Sequence, residues 1–352
     1  MTDIIAGLTA NWLAKRQAKA LSEARAKQLA NNPDLPQKEY QDAREAMLGK
    51  DFSTAPAGQA CVPCMCNAKA ARRAERLNLV SQGVNGCPDH ADAAARLRRD
   101  MDQVEHARVA KAVYLKYDED APADLKAPPP GFLDATDDDL ASLGLKQSML
   151  APDNSSFRAA VYKKDPVVWG DDPQPPYDLV FRGSTLAPED WQNNFAQNAN
   201  NESSYYEKAV TIGNALASER TSDQVQLVGH SLGGGLASVA QGGSGAIATT
   251  FNAAGLNPKT VARYSQLKND RNAADPDRIL AYHVDGEVVT KTQESGLTQY
   301  FSHPAPGQQV ITPTPDDALS PEDRHGMNEV IASMEKQKQA DEATLKTCLA
   351  DK

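Results

Sequence analysis

The spacing of apolar residues predicts a helical N-terminal third, followed by a region in which strands and helices alternate. Residues 1 to about 31 have helical periodicity, with Ile5, Leu8 and Trp12 on one side. Such a helix packs on its own protein more often than on a membrane surface, and its pattern is compatible with both. The other helices predicted in this third are Gln37–Leu48, Ala68–Leu79 and Asp89–Tyr117.

From Phe132 onward, short apolar runs alternate with helical segments. The predicted strands are Ala159–Tyr162, Tyr177–Phe181, Val225–Val228, Ile247–Phe251 and Ile279–Val284. The predicted helices are Pro188–Gln197, Ser204–Arg220, Leu232–Val239 and Pro321–Lys336. This alternation is typical of an α/β fold with a mainly parallel sheet, whose active site lies at the carboxyl ends of the strands. Because an acidic, proline-rich stretch precedes Phe132, we expect a helical region at 1–130 and an α/β domain at 131–352.

The charge balance argues against some partners. The formal net charge of -10 is opposite in sign to what a nucleic-acid backbone requires, and it disfavours a basic membrane-docking surface. No run of about 18 apolar residues is present, so no segment is predicted to span a bilayer. The segment Met1–Leu8 lacks the basic start and long apolar run of a secretory signal. We therefore expect a cytoplasmic protein, unless a signal-independent machine exports it.

The strongest chemical signal is Gly229-His230-Ser231-Leu232-Gly233, a sequence of the form G-x-S-x-G. It follows an apolar strand and precedes a small-residue helix, which is the order of a nucleophile elbow. The glycines let strand and helix approach closely while the Ser231 hydroxyl stays exposed. The backbone N–H of Leu232 has no partner within the helix and is predicted to bind an oxyanion. The alternative is a glycine-rich turn whose serine only caps the helix.

A serine hydroxyl needs a base to take its proton and an acid to hold that base. In this fold the chain order is serine, acid, histidine. Asp285 comes directly after the predicted strand Ile279–Val284, at the carboxyl edge of the sheet, so we predict that it is the acid. The alternative is an ordinary turn aspartate before glycine. His325, in the loop before the last substantial helix, is the predicted base.

The remaining candidates near the site are less favoured or have supporting roles. His283 lies inside a predicted strand, and His303 precedes a proline in a loop, so neither is preferred as the base. His230 is expected to shape the elbow rather than to titrate in the reaction. Ser184, after the second predicted strand, is placed to give a second oxyanion donor, or else only ends that strand. The loop Thr292–Pro306 is a candidate lid.

The early cysteines form a separate cluster whose chemistry the spacing leaves open. Its members, with a nearby histidine, are Cys61, Cys64, Cys66, Cys87 and His90. A C-x₂-C pair with a later Cys/His pair is a usable zinc-ligand spacing. Disulfides are the narrowly favoured alternative, and they fit a protein that ends in an oxidising compartment. We expect no cofactor for the serine chemistry itself.

Several of these segments resemble the class 3 (fungal-type) lipases. They are Phe181-Arg182-Gly183-Ser184, Asp190-Trp191 with Asn194, and Gly229-His230-Ser231-Leu232-Gly233-Gly234. A longer set is similar to bacterial lipase effectors delivered by type VI secretion: Gly229–Ser238, Ala248–Gly255, Tyr282–Gly286 and His325–Met327. The resemblance covers roughly residues 155 to 335, and the combination is far more specific than any single motif.

This resemblance implies an α/β-hydrolase fold and the hydrolysis of lipid ester bonds, commonly those of phospholipids. It carries over a triad of Ser231, Asp285 and His325, with an oxyanion hole at Leu232 and Ser184, where Ser184 replaces the family's usual threonine. It also implies contact with a secretion apparatus, a cognate inhibitor protein in the producing cell, and membrane phospholipid facing a neighbour's periplasm as the target. The alternatives are a general carboxylesterase or neutral-lipid lipase, and an inactive binding or delivery adaptor.

Overall fold

A computed structural model of the chain describes residues 2–49, 62–171, 175–198, 201–264, 273–290 and 303–352. The strands in these ranges form one seven-stranded sheet. They are β1 (Phe132–Asp134), β2 (Ala159–Lys164), β3 (Tyr177–Phe181), β4 (Val225–His230), β5 (Ile247–Phe251), β6 (Ile279–Val284) and β7 (Gln308–Thr312). Strands β3 to β7 are parallel, whereas β1 and β2 extend the sheet antiparallel at one edge. The predicted α/β class with a mainly parallel sheet is confirmed.

The helices come before, between and after the strands. Those of the first 130 residues are α1 (Thr2–Asn31), α2 (Leu35–Leu48), α3 (Val62–Gly86), α4 (Ala91–Lys116) and α5 (Ala123–Lys126). Short helices near the first strands are α6 (Asp137–Ser142), α7 (Gln147–Leu150) and α8 (Pro166–Trp169). The remainder are α9 (Pro188–Asn198), α10 (Ser204–Ser218), α11 (Leu232–Ser244), α12 (Lys259–Tyr264) and α13 (Met327–Ala350).

The two faces of the sheet are covered by different parts of the chain. Along a strand, successive side chains point to opposite faces, so Leu227 and Val228 belong to two separate hydrophobic clusters. Leu227 packs with the helices that connect the parallel strands, α10 and α11. Val228 packs with α4, which precedes the sheet, and with α13, which follows it. One face of the sheet is therefore covered by the connecting helices, and the other by helices that precede and follow the sheet in sequence.

Helix α4 belongs to the core of the sheet although it precedes the predicted boundary at residues 130 and 131. Val104, Ala107 and Val113 on this helix are inaccessible to solvent and share a hydrophobic cluster with Val180 and Val228 of the sheet. The predicted division into 1–130 and 131–352 stays a prediction. The hydrophobic core, however, is continuous across it.

Helix α1 packs against α9, the helix that follows β3. Ala14 and Ala18 of α1 are buried, whereas Trp12 is exposed and carries the Arg16 guanidinium over its ring. The side chains of residues 1–11 and 13 lie outside the described part of the structure, and so does the predicted apolar stripe they form. The described half of the helix thus packs on its own protein.

Of the two alternatives that the cysteine spacing left open, the described residues show disulfides, which were narrowly favoured, together with one free thiol. Cys87, just before α4, is bonded to Cys348 near the end of α13, and Cys64 is also in a disulfide. Disulfide-bonded sulfurs cannot ligate zinc as thiolates, Cys66 is a buried free thiol, and His90 is exposed. In the described ranges no three side chains of His, Cys, Asp or Glu are grouped to hold a metal ion. Cys61 lies outside the described residues.

Among the described residues, no helix combines the length and the apolar character that crossing a bilayer requires.

Candidate active site

The strand-to-helix corner at Ser231 has the geometry predicted for a nucleophile elbow. β4 ends at His230, α11 begins at Leu232, and Ser231 between them has φ 56° and ψ -125°. A residue other than glycine with positive φ stores about 1–3 kcal/mol of strain, which the surrounding structure must hold. A Cβ on Gly229 would lie 2.0 Å from the Gly233 carbonyl oxygen, so only glycine allows strand and helix to approach this closely.

Backbone hydrogen bonds hold the strained serine in place. The Ser231 N–H donates to the Phe251 carbonyl over 3.1 Å, and the Ser231 carbonyl accepts from the Ala254 N–H over 2.9 Å. The serine is partly exposed, whereas Leu232 is buried at the first position of α11, where a helix N–H has no partner within its own helix. The corner therefore presents a hydroxyl next to a free helix N-terminus.

His325 is hydrogen-bonded to a buried carboxylate, which is that of Glu287. The distance from His325 Nδ1 to Glu287 Oε2 is 2.8 Å, and Glu287 is fully buried. Burial alone raises the pKa of the Glu287 carboxyl, but hydrogen bonds from His325 and Thr290 outweigh it and hold the pKa at about 2. Because an ionised carboxylate only accepts hydrogen bonds, Nδ1 carries the imidazole hydrogen and Nε2 is left as the basic nitrogen.

The structure does not bring Asp285, the acid predicted from the sequence, to His325. Asp285 is exposed, and within the described ranges only its backbone forms hydrogen bonds, with its N–H donating to the Thr312 carbonyl and its carbonyl accepting from Arg324. The reason is a turn after β6, in which Gly286 has φ 74° and the Glu287 N–H donates to the Val284 carbonyl. The turn sends the Asp285 side chain into solvent and directs the next acidic residue inward.

The segment that carries His325 is anchored beside the serine corner. The backbone carbonyl of His325 lies 2.7 Å from His230 Nε2 and also accepts a hydrogen bond from Asn252 Nδ2 over 3.0 Å. The rings of His230 and His325 have centroids 4.9 Å apart. These contacts place the His325 ring beside His230, the residue directly before Ser231. The triad of Ser231, Asp285 and His325 as predicted from the sequence stays a prediction for the first and last members, whereas His325 is bonded to Glu287 and not to Asp285.

Asn252 connects the three segments that form the site, a role that was not predicted from the sequence. The residue is fully buried at the end of β5 and has a positive φ of 40°. Its Oδ1 accepts from the Val284 N–H, at the strand end before Glu287, over 3.0 Å. Its Nδ2 donates to the carbonyls of Arg324 and His325. One amide therefore fixes the distance between the acid turn and the histidine segment.

His230 is a neutral structural histidine, as expected. Burial lowers the pKa of its ring most, the nearby His325 lowers it further, and the resulting pKa is about 3. Its Nδ1 lies 3.0 Å from the hydroxyl of Tyr114 on α4. Tyr114 was not predicted from the sequence, because nothing in a helical periodicity distinguishes one aromatic residue as a hydrogen-bond partner of the site.

The loop after β3 lies against the elbow and carries Ser184. A Cβ on Gly183 would be 2.5 Å from the His230 carbonyl oxygen, so this loop touches the elbow directly. Buried Asp190 holds the loop by accepting from the Thr185 N–H over 2.7 Å and from the Thr185 hydroxyl over 2.8 Å. Ser184 is partly exposed between these two anchored neighbours.

The other predicted candidates lie away from this arrangement or outside the description. His283 is within β6, and the His303 backbone packs against Gly255. In the part of the chain that the structure describes, neither imidazole is hydrogen-bonded to a carboxylate. Most of the candidate lid, residues 292–302, lies outside the described residues.

A mainly parallel sheet with a serine elbow at its carboxyl edge and helices on both faces is the architecture of α/β hydrolases. Residues 105–318 match the family model of the Tle-like phospholipase domain, which is more than half of the chain. The protein therefore belongs to this phospholipase family, and the predicted family resemblance is confirmed. The matched segment begins within α4, so it contains Tyr114 as well as the elbow.

A curated relative is the extracellular phospholipase A1 of Serratia liquefaciens. The two sequences are 33% identical over 221 residues, which cover 59% of this chain and 65% of the relative. The chain therefore spans a little less than two thirds of the relative's length.

Proposed function

We propose that the protein is a serine phospholipase in which Ser231 is the nucleophile, His325 the general base and Glu287 the acid that orients it. One observation carries the proposal. The histidine whose imidazole is bonded to a buried carboxylate is anchored, through its backbone carbonyl, to His230 and Asn252, which flank the serine corner in the sheet. Glu287 replaces the acid expected from the sequence, and the other two members of the triad are those expected.

In the first half of the reaction, Ser231 Oγ bonds to the carbonyl carbon of the ester while His325 Nε2 takes its proton. The carbonyl electron pair moves onto oxygen, and we assign its stabilisation to the Leu232 N–H together with Ser184. The intermediate then collapses. The bond to the glycerol oxygen breaks, that oxygen takes the proton from His325, and a lysophospholipid leaves an acyl-enzyme behind.

In the second half, water replaces the glycerol oxygen. His325 takes a proton from water as the oxygen attacks the acyl carbon, and Ser231 Oγ leaves with that proton. The products are the free enzyme and a fatty acid. Throughout, ionised Glu287 holds the imidazole in one tautomer and stabilises its positive charge when Nε2 is protonated.

The family supports a phospholipid as the substrate, and the relative's name suggests cleavage at the first glycerol position. We propose glycerophospholipids with cleavage at this position. Product analysis on phosphatidylglycerol or phosphatidylethanolamine with different acyl chains at the two positions identifies the chain released. Faster turnover of triacylglycerol or of short soluble esters would favour a neutral-lipid lipase or a general carboxylesterase.

The decisive variant is Ser231→Ala, with Ser238→Ala as the matched control two turns along the same helix. We expect the first to lose essentially all lipid hydrolysis and organophosphonate labelling, and the second to keep both. Thermal unfolding of both variants controls for folding. Lipid hydrolysis at the wild-type level in Ser231→Ala would contradict the proposal, and a wild-type protein that does not react with the probe would favour an inactive adaptor.

We further propose that a secretion apparatus delivers the protein out of the producing cell, and that it acts on the membrane phospholipid of another cell. The disulfide Cys87–Cys348 supports this, because disulfides persist in oxidising compartments, and the relative's name describes an extracellular enzyme. Wild-type protein directed to the periplasm of a bacterial host should stop growth, whereas Ser231→Ala should not. Equal growth of the two cultures would contradict this role.

A cell that makes such an enzyme needs protection from it, so we propose a cognate inhibitor protein as a partner. Extract of the producing cell should inhibit the purified wild-type enzyme, and protease treatment of the extract should remove the inhibition. Unchanged hydrolysis in the presence of extract would contradict this part of the proposal.

A further inference from the structure

The hydroxyl of Tyr114 lies between the two loops that complete the proposed active site. It lies against the backbone of Gly183, in the loop that carries Ser184. On its other side it lies 3.0 Å from His230 Nδ1. A Cβ on Gly183 would lie 2.0 Å from the same oxygen, so the close approach depends on glycine.

The direction of these hydrogen bonds follows from the last acceptor in the series. His230 Nε2 lies 2.7 Å from the backbone carbonyl of His325, and a carbonyl only accepts. Nε2 therefore carries the ring hydrogen of neutral His230, and Nδ1 accepts from the Tyr114 hydroxyl. Burial raises the pKa of this hydroxyl, so it remains a donor. Two ordered hydrogen bonds thus run from Tyr114 through His230 to His325, and the Tyr114 hydroxyl at their start packs against Gly183.

We propose that Tyr114 is a positioning residue that couples the oxyanion loop to the segment carrying the general base. Its hydroxyl touches neither the ester nor the reacting atoms, and it acts through Gly183 on one side and through His230 on the other. A residue of α4, outside the predicted α/β domain, would thereby set the relative position of Ser184 and His325. This inference rests on the proposed serine mechanism.

The competing explanation is that Tyr114 is an ordinary core tyrosine, whose hydrogen bond satisfies a buried hydroxyl and positions nothing. The chain contains a matched control for this. Tyr282 is also buried, and its hydroxyl donates to buried Asp100 over 2.7 Å, without a hydrogen bond from that hydroxyl to either active-site loop. Tyr114→Phe and Tyr282→Phe each remove one buried hydroxyl and its hydrogen bond. Only the first removes a link between the two loops.

We expect Tyr114→Phe to lower kcat on a soluble ester by about tenfold or more, because small displacements of reacting groups cost this much. KM should stay within about twofold, since the hydroxyl does not contact the substrate. Tyr282→Phe should leave both constants close to wild type while lowering the melting temperature by a similar amount. Equal kcat in the two variants would overturn the proposal.

A conservative replacement of His230 gives a second test of the same two hydrogen bonds. Glutamine offers one acceptor and one donor at the end of its side chain, whereas leucine offers neither. His230→Gln should therefore recover much of the kcat that His230→Leu loses. Equal losses in these two variants would assign His230 a packing role only and would contradict the coupling.

A spectroscopic measurement separates this inference from the proposed function, because it does not require turnover. In histidine-labelled protein, Tyr114→Phe should shift the ring nitrogen resonances of both His230 and His325, whereas Tyr282→Phe should leave them unchanged. Unchanged His325 resonances in Tyr114→Phe would overturn the coupling even in an active enzyme. Shifted resonances in a protein that hydrolyses no lipid would keep the coupling and reject the phospholipase mechanism.

Discussion

Two turns at the carboxyl edge of the sheet, one after β4 and one after β6, hold the proposed nucleophile and the proposed acid in different ways. At the serine corner, backbone packs directly on backbone, and a Cβ on Gly233 would lie 2.2 Å from the Phe181 carbonyl oxygen. At the acid turn, Glu287 is held by side-chain contacts, because its carboxylate accepts from His325 Nδ1 and from the Val289 and Thr290 N–H groups.

This difference determines what each turn tolerates. At the serine corner a single added methyl group collides with main-chain atoms that cannot move aside. At the acid turn one carboxylate makes the side-chain contact that orients the His325 imidazole. We therefore expect substitutions at the first turn to lower stability, and substitutions at the second turn to lower catalytic activity.

The largest expected effect is catalytic and comes from the acid turn. Glu287→Gln keeps the shape of the side chain but removes the charge that fixes the His325 tautomer, so kcat should fall by about 10³–10⁴-fold. Asp285→Asn, two residues earlier, should change kcat by less than about twofold, because Asp285 is exposed. Rate measurements on a soluble ester decide between the two carboxylates. The reverse ranking would restore the acid predicted from the sequence.

The next largest effect should be on stability and should arise at the serine corner. Gly233→Ala places its methyl group against backbone, so we expect the free energy of unfolding to fall by about 3 kcal/mol or more. Gly86→Ala is the control, because its Cβ would meet only the end of the flexible Leu349 side chain, at 3.0 Å, and should cost less than about 1 kcal/mol. Denaturant titration measures both. Similar losses would show that the corner can relax.

Measured per pH unit, the smallest effect distinguishes the two turns by their acid sensitivity. His230 has a folded pKa of about 3, so below about pH 6.5 the unfolded chain binds a proton that the folded protein does not. The free energy of unfolding should therefore fall by up to about 1.4 kcal/mol per pH unit between about 6.5 and 3. Glu287, with a folded pKa of about 2, contributes stability that is present above about pH 4.3 and is lost as pH falls toward 2.

The variants described above separate these two pH ranges. His230→Gln should flatten the dependence between about pH 6.5 and 4.5, and Glu287→Gln should alter it only below about 4.5. Denaturant titrations at a series of pH values give both curves. A wild-type slope that His230→Gln leaves unchanged would assign the acid sensitivity to other groups.

The same contrast explains which parts of the site could be predicted from the sequence. The serine corner is a local feature, because five consecutive residues and their flanking pattern determine it. The choice of Glu287 over Asp285 depends on how one glycine turns the chain and on contacts with His325, 38 positions away in sequence. Residue spacing contains no information about such a contact. Asn252 and Tyr114 were missed for the same reason.

For the fold as well, strongly patterned local segments were predicted, whereas weakly patterned segments and long-range pairings were not. The five strands with strongly apolar runs were predicted close to their observed bounds. The strands β1 and β7 were missed, because Gln308 and Gln309 interrupt the apolar pattern of β7 and β1 has only three residues. The pairing of Cys87 with Cys348 joins residues 261 positions apart, a distance that no local spacing can reveal.

The position of α4 on the sheet has a practical consequence for work with fragments. A fragment that begins at residue 131 would lack the helix that covers Val180, Val228 and Tyr282, and it would present that apolar face to water. Such a fragment should be insoluble when expressed alone. Recombinant versions of the catalytic part should therefore begin no later than Ala91.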